Sequence, residues 1–261
     1  MNAAAPVPTD APVAAYSADR SLKGKLRRRV VRLQHRRPLA RAPQGPVVSF
    51  SFDDIPASAA AAGAEVLEAA GARGAFYVCA GLYDREGPMG RFAGAAAVAD
   101  LARRGHEIGC HTHGHIDCGQ ADGGAIAADV DRNAAALAAL GVTATSFAYP
   151  YGDVSLAAKQ ALSGRFGSLR ALHKGLVRPG SDLNQLPAVG VEGADGEALA
   201  ARWIDRALAA KAWLILYTHD VAERPSPWGC TPGTLARLVA RARDGGARVL
   251  TVGEALAEAT A

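Results

Sequence analysis

The feature that most constrains this chain is a regular alternation of two kinds of segment. From Pro46 onward, short apolar runs take turns with longer, alanine-rich stretches. The runs Val47–Phe52, Ala75–Cys79, Glu107–Cys110, Ser146–Tyr149, Ser168–Leu172, Ala188–Val191, Trp213–Tyr217 and Arg248–Val252 read as strands. Between them, Ala57–Ala70, Ala95–Arg104, Ala125–Leu140, Ser155–Leu162, Glu197–Ala210 and Thr234–Asp244 read as helices, most ending near a glycine that tolerates the left-handed cap. That order builds a parallel sheet wrapped by helices. Seven to eight strands is close to the number that closes a sheet on itself, so the expected fold is α/β, an irregular (β/α) barrel.

The chain has 261 residues, 49% of them hydrophobic, enough to bury the core of one large domain. Residues 46–261 are expected to form it, preceded by an arm at 1–45 that begins as an Ala/Pro-rich, disordered tail. Ser21 to Arg41 carries nine Lys or Arg residues and no acid, so the remainder is net acidic although the whole chain carries +4. Within that stretch Leu22, Leu26, Val30 and Leu33 recur at helical spacing, the pattern of a cationic amphipathic helix. Such an arm lies on the domain with its charges solvated or touches an anionic membrane surface. It lacks the aromatic and hydrogen-bonding groups that read bases, so nucleic acid is not an expected partner. No run approaches the length of a membrane span, and the first thirty residues lack the apolar core of a secretory signal. Cys79, Cys110, Cys118 and Cys230 form no CxxC pair, as in a reducing compartment. The expected location is cytoplasmic, at the inner face of the membrane if the arm binds it.

In a barrel of this type the chemistry sits at the carboxyl ends of the strands. The capable residues there are Asp53 and Asp54 after the first strand, His111 and His115 after the third, Tyr149 to Asp153 after the fourth, and His219 after the seventh. Two adjacent carboxylates repel unless a cation separates their roles. His111 and His115, four apart, place two imidazoles on one side of a helical turn, where both reach one ion. One Asp with two His leaves positions open for water and substrate, as catalytic metal sites do. A lone Asp-Asp or His pair is more often a cap or a solvated pair; the joint arrangement carries the reading.

Ser51-Phe52-Asp53-Asp54, His111-Thr112-x-x-His115, Tyr149-Pro150-Tyr151-Gly152 and Leu216-Tyr217-Thr218-His219 stand in the order and spacing of the motifs of NodB-homology polysaccharide deacetylases, carbohydrate esterase family four. The resemblance runs from about Pro46 to Val252. It implies a distorted (β/α) barrel and one divalent metal ion, zinc first and cobalt, nickel or manganese as alternatives, held by Asp54, His111 and His115. It further implies Asp53 as catalytic base, His219 as acid, and the Tyr151 backbone N–H as a donor to the oxyanion. Relatives often carry Arg before x-Pro-Tyr, where this chain has Ala148. Arg170, in the next strand, is the candidate substitute tether for Asp53. The carboxylate that relatives pair with the acid His has no clear counterpart; Glu192 and Asp195 are nearest. Trp228 and Tyr149 are candidate sugar contacts, whereas Trp203, Trp213, Cys110 and Cys230 are expected to pack. His106 and His113 are expected in structural or rim positions.

The implied function is hydrolytic removal of N-acetyl groups from N-acetylhexosamine units of a polysaccharide. The absent motif Arg, the basic arm and the compartment are similar to bacterial exopolysaccharide and holdfast deacetylases of biofilm adhesion, acting on the polymer or its lipid-linked precursor. An idle metal- and glycan-binding relative, and an amidohydrolase of small amides, are the alternatives. Asp53 and His219 speak against the first, since binding alone needs neither.

Overall fold

The structure, a computed structural model, describes residues 24 and 29–261. Strands and helices alternate as β1 (Val47–Asp53), a π-helical turn (Ala59–Gly63) running into α1 (Ala64–Ala69), β2 (Ala75–Val78), a hairpin of β3 (Glu86–Gly87) and β4 (Gly90–Arg91), α2 (Ala95–Arg103), β5 (Glu107–Cys110), α3 (Gly123–Ala138), β6 (Ser146–Ala148), α4 (Leu156–Leu162), β7 (Ser168–Arg170), β8 (Val189–Gly190), α5 (Gly196–Ala210), β9 (Trp213–Thr218), α6 (Pro232–Asp244), β10 (Arg248–Val249) and α7 (Val252–Thr260). The main sheet has the order β7-β6-β5-β2-β1-β9-β8 and every pairing in it is parallel. Its free edge is met by the segment entering β8: Leu186 N–H donates to Leu169 O at 2.8 Å, and Ala171 N–H to Leu186 O at 2.9 Å. The sheet therefore curls into a distorted barrel of seven staves.

The eighth run does not supply another stave. Arg248 and Val249 pair only with Val47 and Val48, at the foot of β1, and the chain then turns into α7. The cause is local: Thr251 caps that helix, its hydroxyl accepting from Glu254 N–H while Glu254 returns a bond to Thr251 N–H. The capping box starts a helix where the apolar pattern suggested continued strand.

Alternation along the strands decides what faces the barrel interior. Val48, Phe50 and Phe52 of β1 join the layer of side chains under α1, α5 and α6, together with Leu67, Ile204 and Leu235. Val47, Ser49, Ser51 and Asp53 take the opposite parity and face inward. There Trp213 Nε1–H donates to Ser49 Oγ at 2.9 Å and Ser51 Oγ–H to Leu216 O at 2.9 Å, so the interior hydroxyls are satisfied. The same parity points Tyr77, Arg170 and Tyr217 into the barrel, above a plug of Leu186, Trp213 and Ile215. Gly109 makes room for this: a Cβ there would lie 2.4 Å from the Tyr77 ring.

The described part of the arm is bonded to the barrel. Buried Lys159 donates to Val31 O (2.9 Å), Gln34 O (3.0 Å) and Asp182 Oδ2 (2.6 Å). Arg37 donates to the carbonyls of Ser163, Phe166 and Gly167, and Pro38 bridges to Asp182. Leu22 and Leu26 lie outside the described residues. Of the expected apolar face, Val30 and Leu33 are exposed, and it is Val31 that packs against the domain. Lys159 selects this face, because capping Val31 O turns that residue inward. No helix among the described residues is long and apolar enough to cross a membrane.

Candidate active site

Five strand ends, those of β1, β5, β6, β8 and β9, converge on one cleft of about 340 Å³, lined by Asp53, Asp54, His111, His115, Tyr151, Glu192, Tyr217, His219 and Trp228. Asp54, His111 and His115 each offer a ligand atom there, all within 4.8 Å of one another. Asp54 Oδ1 lies 3.4 Å from His111 Nε2 and 3.1 Å from His115 Nε2. His111 Nδ1 is 2.7 Å from Ala148 O, which can only accept, so the proton sits on Nδ1 and the Nε2 lone pair faces Asp54. Burial holds His111 down at about 4, leaving it neutral at ordinary pH. A carboxylate oxygen and two imidazole nitrogens converging on one point form a donor set suited to one divalent cation.

The local backbone is unusual. His111 to His115 is a loop and not the helical turn its spacing suggested: Thr112 (φ 64°) and His115 (φ 54°) are both left-handed. Asp54 (φ 60°), Ile55 (φ 51°) and Tyr151 (φ 59°) share that conformation. Strain of this sort persists only where neighbours over-determine it. Here α3 supplies the neighbours: Asp129 accepts from His113 N–H (2.6 Å) and Gly114 N–H (2.9 Å), and Asn133 binds Ala80 N–H and Val78 O at 2.9 Å each. Neither residue was picked out from the sequence. The available signal was two polar residues on the same helical stripe as Ile126, Val130 and Leu137, all buried.

Asp53 is buried, and Arg170 Nη2 donates to its Oδ1. Burial is the largest single influence on Asp53 and pushes it up, but the Arg170 guanidinium, with His111 and His219, carries it below the usual carboxylate range. Arg170 is itself fully buried, its guanidinium 5.0 Å from the centre of the Tyr77 ring and 5.3 Å from that of Tyr217. Aromatic faces and one carboxylate replace its water.

His219 Nδ1 lies 3.2 Å from Trp228 O, a carbonyl that also receives His219 N–H at 3.2 Å. Its ring is thus oriented by main chain and not by a carboxylate. Glu192 lies in the same cleft and accepts from Tyr217 OH at 2.9 Å; Asp195 is exposed at the start of α5 and does not reach the cleft. Tyr149 does not line the cleft either. It is fully buried, its hydroxyl donating to Asn184 O at 3.1 Å, because strand parity turns it toward α4 and Phe147. Tyr151 does line it, ring edge against His115 at 4.4 Å between centroids. Pro88 and Met89 of the β3–β4 hairpin, with Leu82 and Phe92, form an apolar wall in a stretch to which the sequence reading assigned no element. His106 accepts from Gly74 N–H and bonds Glu68, away from the cleft.

Fold and site together define a distorted (β/α) barrel with an Asp-His-His centre and a second carboxylate beside it. A family model for polysaccharide deacetylase matches residues 40–164 of this chain. Among curated proteins none matches it by sequence. Solved structures with the same fold include a Mycobacterium smegmatis protein assigned as a polysaccharide deacetylase (18% identity, TM-score 0.65, covering 86% of this chain and 95% of that one). A family 4 acetyl xylan esterase from Clostridium thermocellum in complex with a cobalt ion is also similar (19%, 0.57, 81% and 90%), as is the chitin deacetylase of the fungal pathogen Colletotrichum lindemuthianum (18%, 0.57, 84% and 91%).

Proposed function

We propose that the protein hydrolyses N-acetyl groups on N-acetylhexosamine units of a polysaccharide, releasing acetate and a free amine. The observation that carries the reading is the pairing of the Asp54-His111-His115 donor set with a separate, ionised Asp53 in one cleft. A divalent ion held by Asp54, His111 and His115, zinc in this reading, supplies Lewis acidity toward the acetyl carbonyl and toward water. Asp53 takes a proton from the attacking water as its oxygen bonds to the acyl carbon. The Tyr151 backbone N–H donates to the oxygen that gains charge. His219, with Nδ1 committed to Trp228 O, has Nε2 left to deliver a proton to the amine as the C–N bond breaks. Arg170 keeps Asp53 charged and in place.

The test is acetate release from N-acetylglucosamine oligomers by protein as isolated, after chelation, and after each of Zn, Co, Ni and Mn is restored. Asp53→Ala and His219→Ala are each expected to lower turnover by about 10²–10⁴-fold. Release that is indifferent to chelation, or unchanged in both variants, would overturn the reading; release from acetylated xylan alone would move it to an ester substrate.

The polymer, in this reading, is a bacterial exopolysaccharide or its lipid-linked precursor, met at the inner face of the membrane. Support comes from Val30 and Leu33, 43% and 77% exposed beside Arg29, Arg32 and Arg36. Since residues 31–39 are bonded into the domain, the clean probe is Leu33→Asp and not deletion of the arm. Flotation with anionic vesicles that is equal for wild type and Leu33→Asp rules out this contact.

A further inference from the structure

Two open hollows, of about 360 and about 580 Å³, share no lining residue with the catalytic cleft and meet each other at Gly175 and Leu176. Arg32, Leu33 and Arg36 of the arm border the first; Arg178, with Trp203 and Arg206 of α5, borders the second. The two form one strip on which apolar and cationic groups are interleaved. The Arg206 guanidinium lies over the Trp203 ring at 4.8 Å, Trp203 and Leu176 pack their inner edges against the core, and Val30 and Leu33 stand out into solvent. Among the described residues the one acid on either lining is Asp182, and its charge is matched by Lys159 Nζ at 2.6 Å and by the N–H groups of Arg37 and Asn184. Asp205, next to Arg206 in sequence, turns instead to Arg241 of α6 at 2.7 Å. The parts of the strip are fastened together. Leu39 N–H donates to Ser181 O and Gly180 N–H to Leu39 O, each at 2.8 Å, and Arg36 Nη2 donates to Gly180 O at 2.6 Å. The same loop is tied to the foot of β9, Val177 N–H donating to Trp213 O at 2.7 Å. Arm, loop and α5 thus make one platform. Like charge disfavours the cationic residues 23–28 of this chain, or of another copy, as its occupant. An anionic bilayer fits it: lipid phosphates meet the arginines, indole sits at headgroup level, and the leucine reaches the acyl chains.

We propose that Arg178, Trp203 and Arg206 form a second membrane footprint, which together with Leu33 holds the barrel on an anionic bilayer in one orientation. The proposal rests on the membrane contact read above from Val30 and Leu33, and deepens it. Contact at the arm alone lets the barrel turn about that point, whereas two footprints on one rigid body fix its tilt.

The experiment is flotation of the full chain with vesicles of phosphatidylcholine, with and without phosphatidylglycerol. Wild type is expected to float only when the anionic lipid is present, and less as salt is raised. Arg178→Ala with Arg206→Ala should weaken partitioning about 30-fold, the effect of two cations lost from a lipid surface at about 5-fold each. Acetate release from a soluble N-acetylglucosamine hexamer, without vesicles, should stay at the wild-type rate in that double variant, which shows that it folds. Vesicles with brominated acyl chains should quench tryptophan emission in wild type and not in Trp203→Phe. Equal flotation of wild type and the double variant, with loss in Leu33→Asp, confines the contact to the arm and overturns the second footprint while the earlier contact stands. Quenching that persists in Trp203→Phe, or equal flotation on phosphatidylcholine alone, also overturns it. A wild type that never floats removes both contacts, and if it sediments as a dimer that the double variant loses, the strip joins two copies instead. If nothing is deacetylated but flotation and quenching behave as expected, the footprint stands and the hydrolytic reading falls.

Discussion

At the scale of single residues, the pair Arg170–Asp53 concentrates the most consequence in the fewest atoms. The folded-state pKa of Asp53 is lowered, so the stabilisation from the pair is full above the unfolded carboxylate range, near 4. It is lost as pH falls toward the folded value. Replacing the guanidinium by an apolar group reverses the sign, because burial then acts unopposed. Arg170→Met should move the acidic limb of the kcat/KM profile to higher pH, lower turnover at neutral pH, and cost about 3–5 kcal/mol of stability. An unmoved acidic limb, with turnover intact, would show that Asp53 keeps its charge by other means. Arg170 was legible in the sequence only as a residue of the right type on the neighbouring strand. Register makes it reach: Ala148 pairs with Arg170, so the guanidinium rises from the stave beside the one that lacks the motif arginine.

At the scale of elements, the central strands β1, β2 and β9 were legible almost to the residue, because a stave buried on both faces reads as a short apolar block. The loop that carries His111 and His115 was not. A four-residue spacing looks helical by count alone, whereas the amide-binding carboxylate of Asp129, sixteen residues from His113, helps hold the chain in left-handed turns. Long-range bonds of this type leave no local pattern. Asp129→Ala should therefore leave the barrel folded while weakening divalent-ion affinity by about 10–100-fold, measured by competition with a chromophoric chelator. Unchanged affinity would mean that the ligands orient themselves. The β3–β4 hairpin was invisible for a different reason: each strand has two residues, too few for any alternation to register.

On the scale of the whole molecule, one buried ammonium ties the arm to the barrel. Lys159 reaches from α4 to two carbonyls of the arm and to Asp182 on the far side of β7, so three stretches of chain meet at one charge. Composition marked the arm as separable, since its charge differs from that of the rest. The attachment is made through backbone carbonyls, which composition does not record. Lys159→Met leaves Asp182 buried and uncompensated, and is expected to cost about 3–5 kcal/mol in urea unfolding. It should also open the arm to trypsin after Arg36 and Arg37. Equal stability and equal resistance to cleavage would show that Arg37 and Asn184 suffice to hold it.

The hold on His219 has a practical corollary. Trp228 fixes the acid through its carbonyl oxygen, while its indole, 40% exposed, looks out over the cleft. Main chain and side chain of one residue thus answer to different masters, and mutation reaches only the second. Trimming the indole is therefore expected to test the proposed sugar contact by itself, since the carbonyl that holds the His219 ring stays in place, and the mouth of the cleft can be varied apart from the groups beneath it.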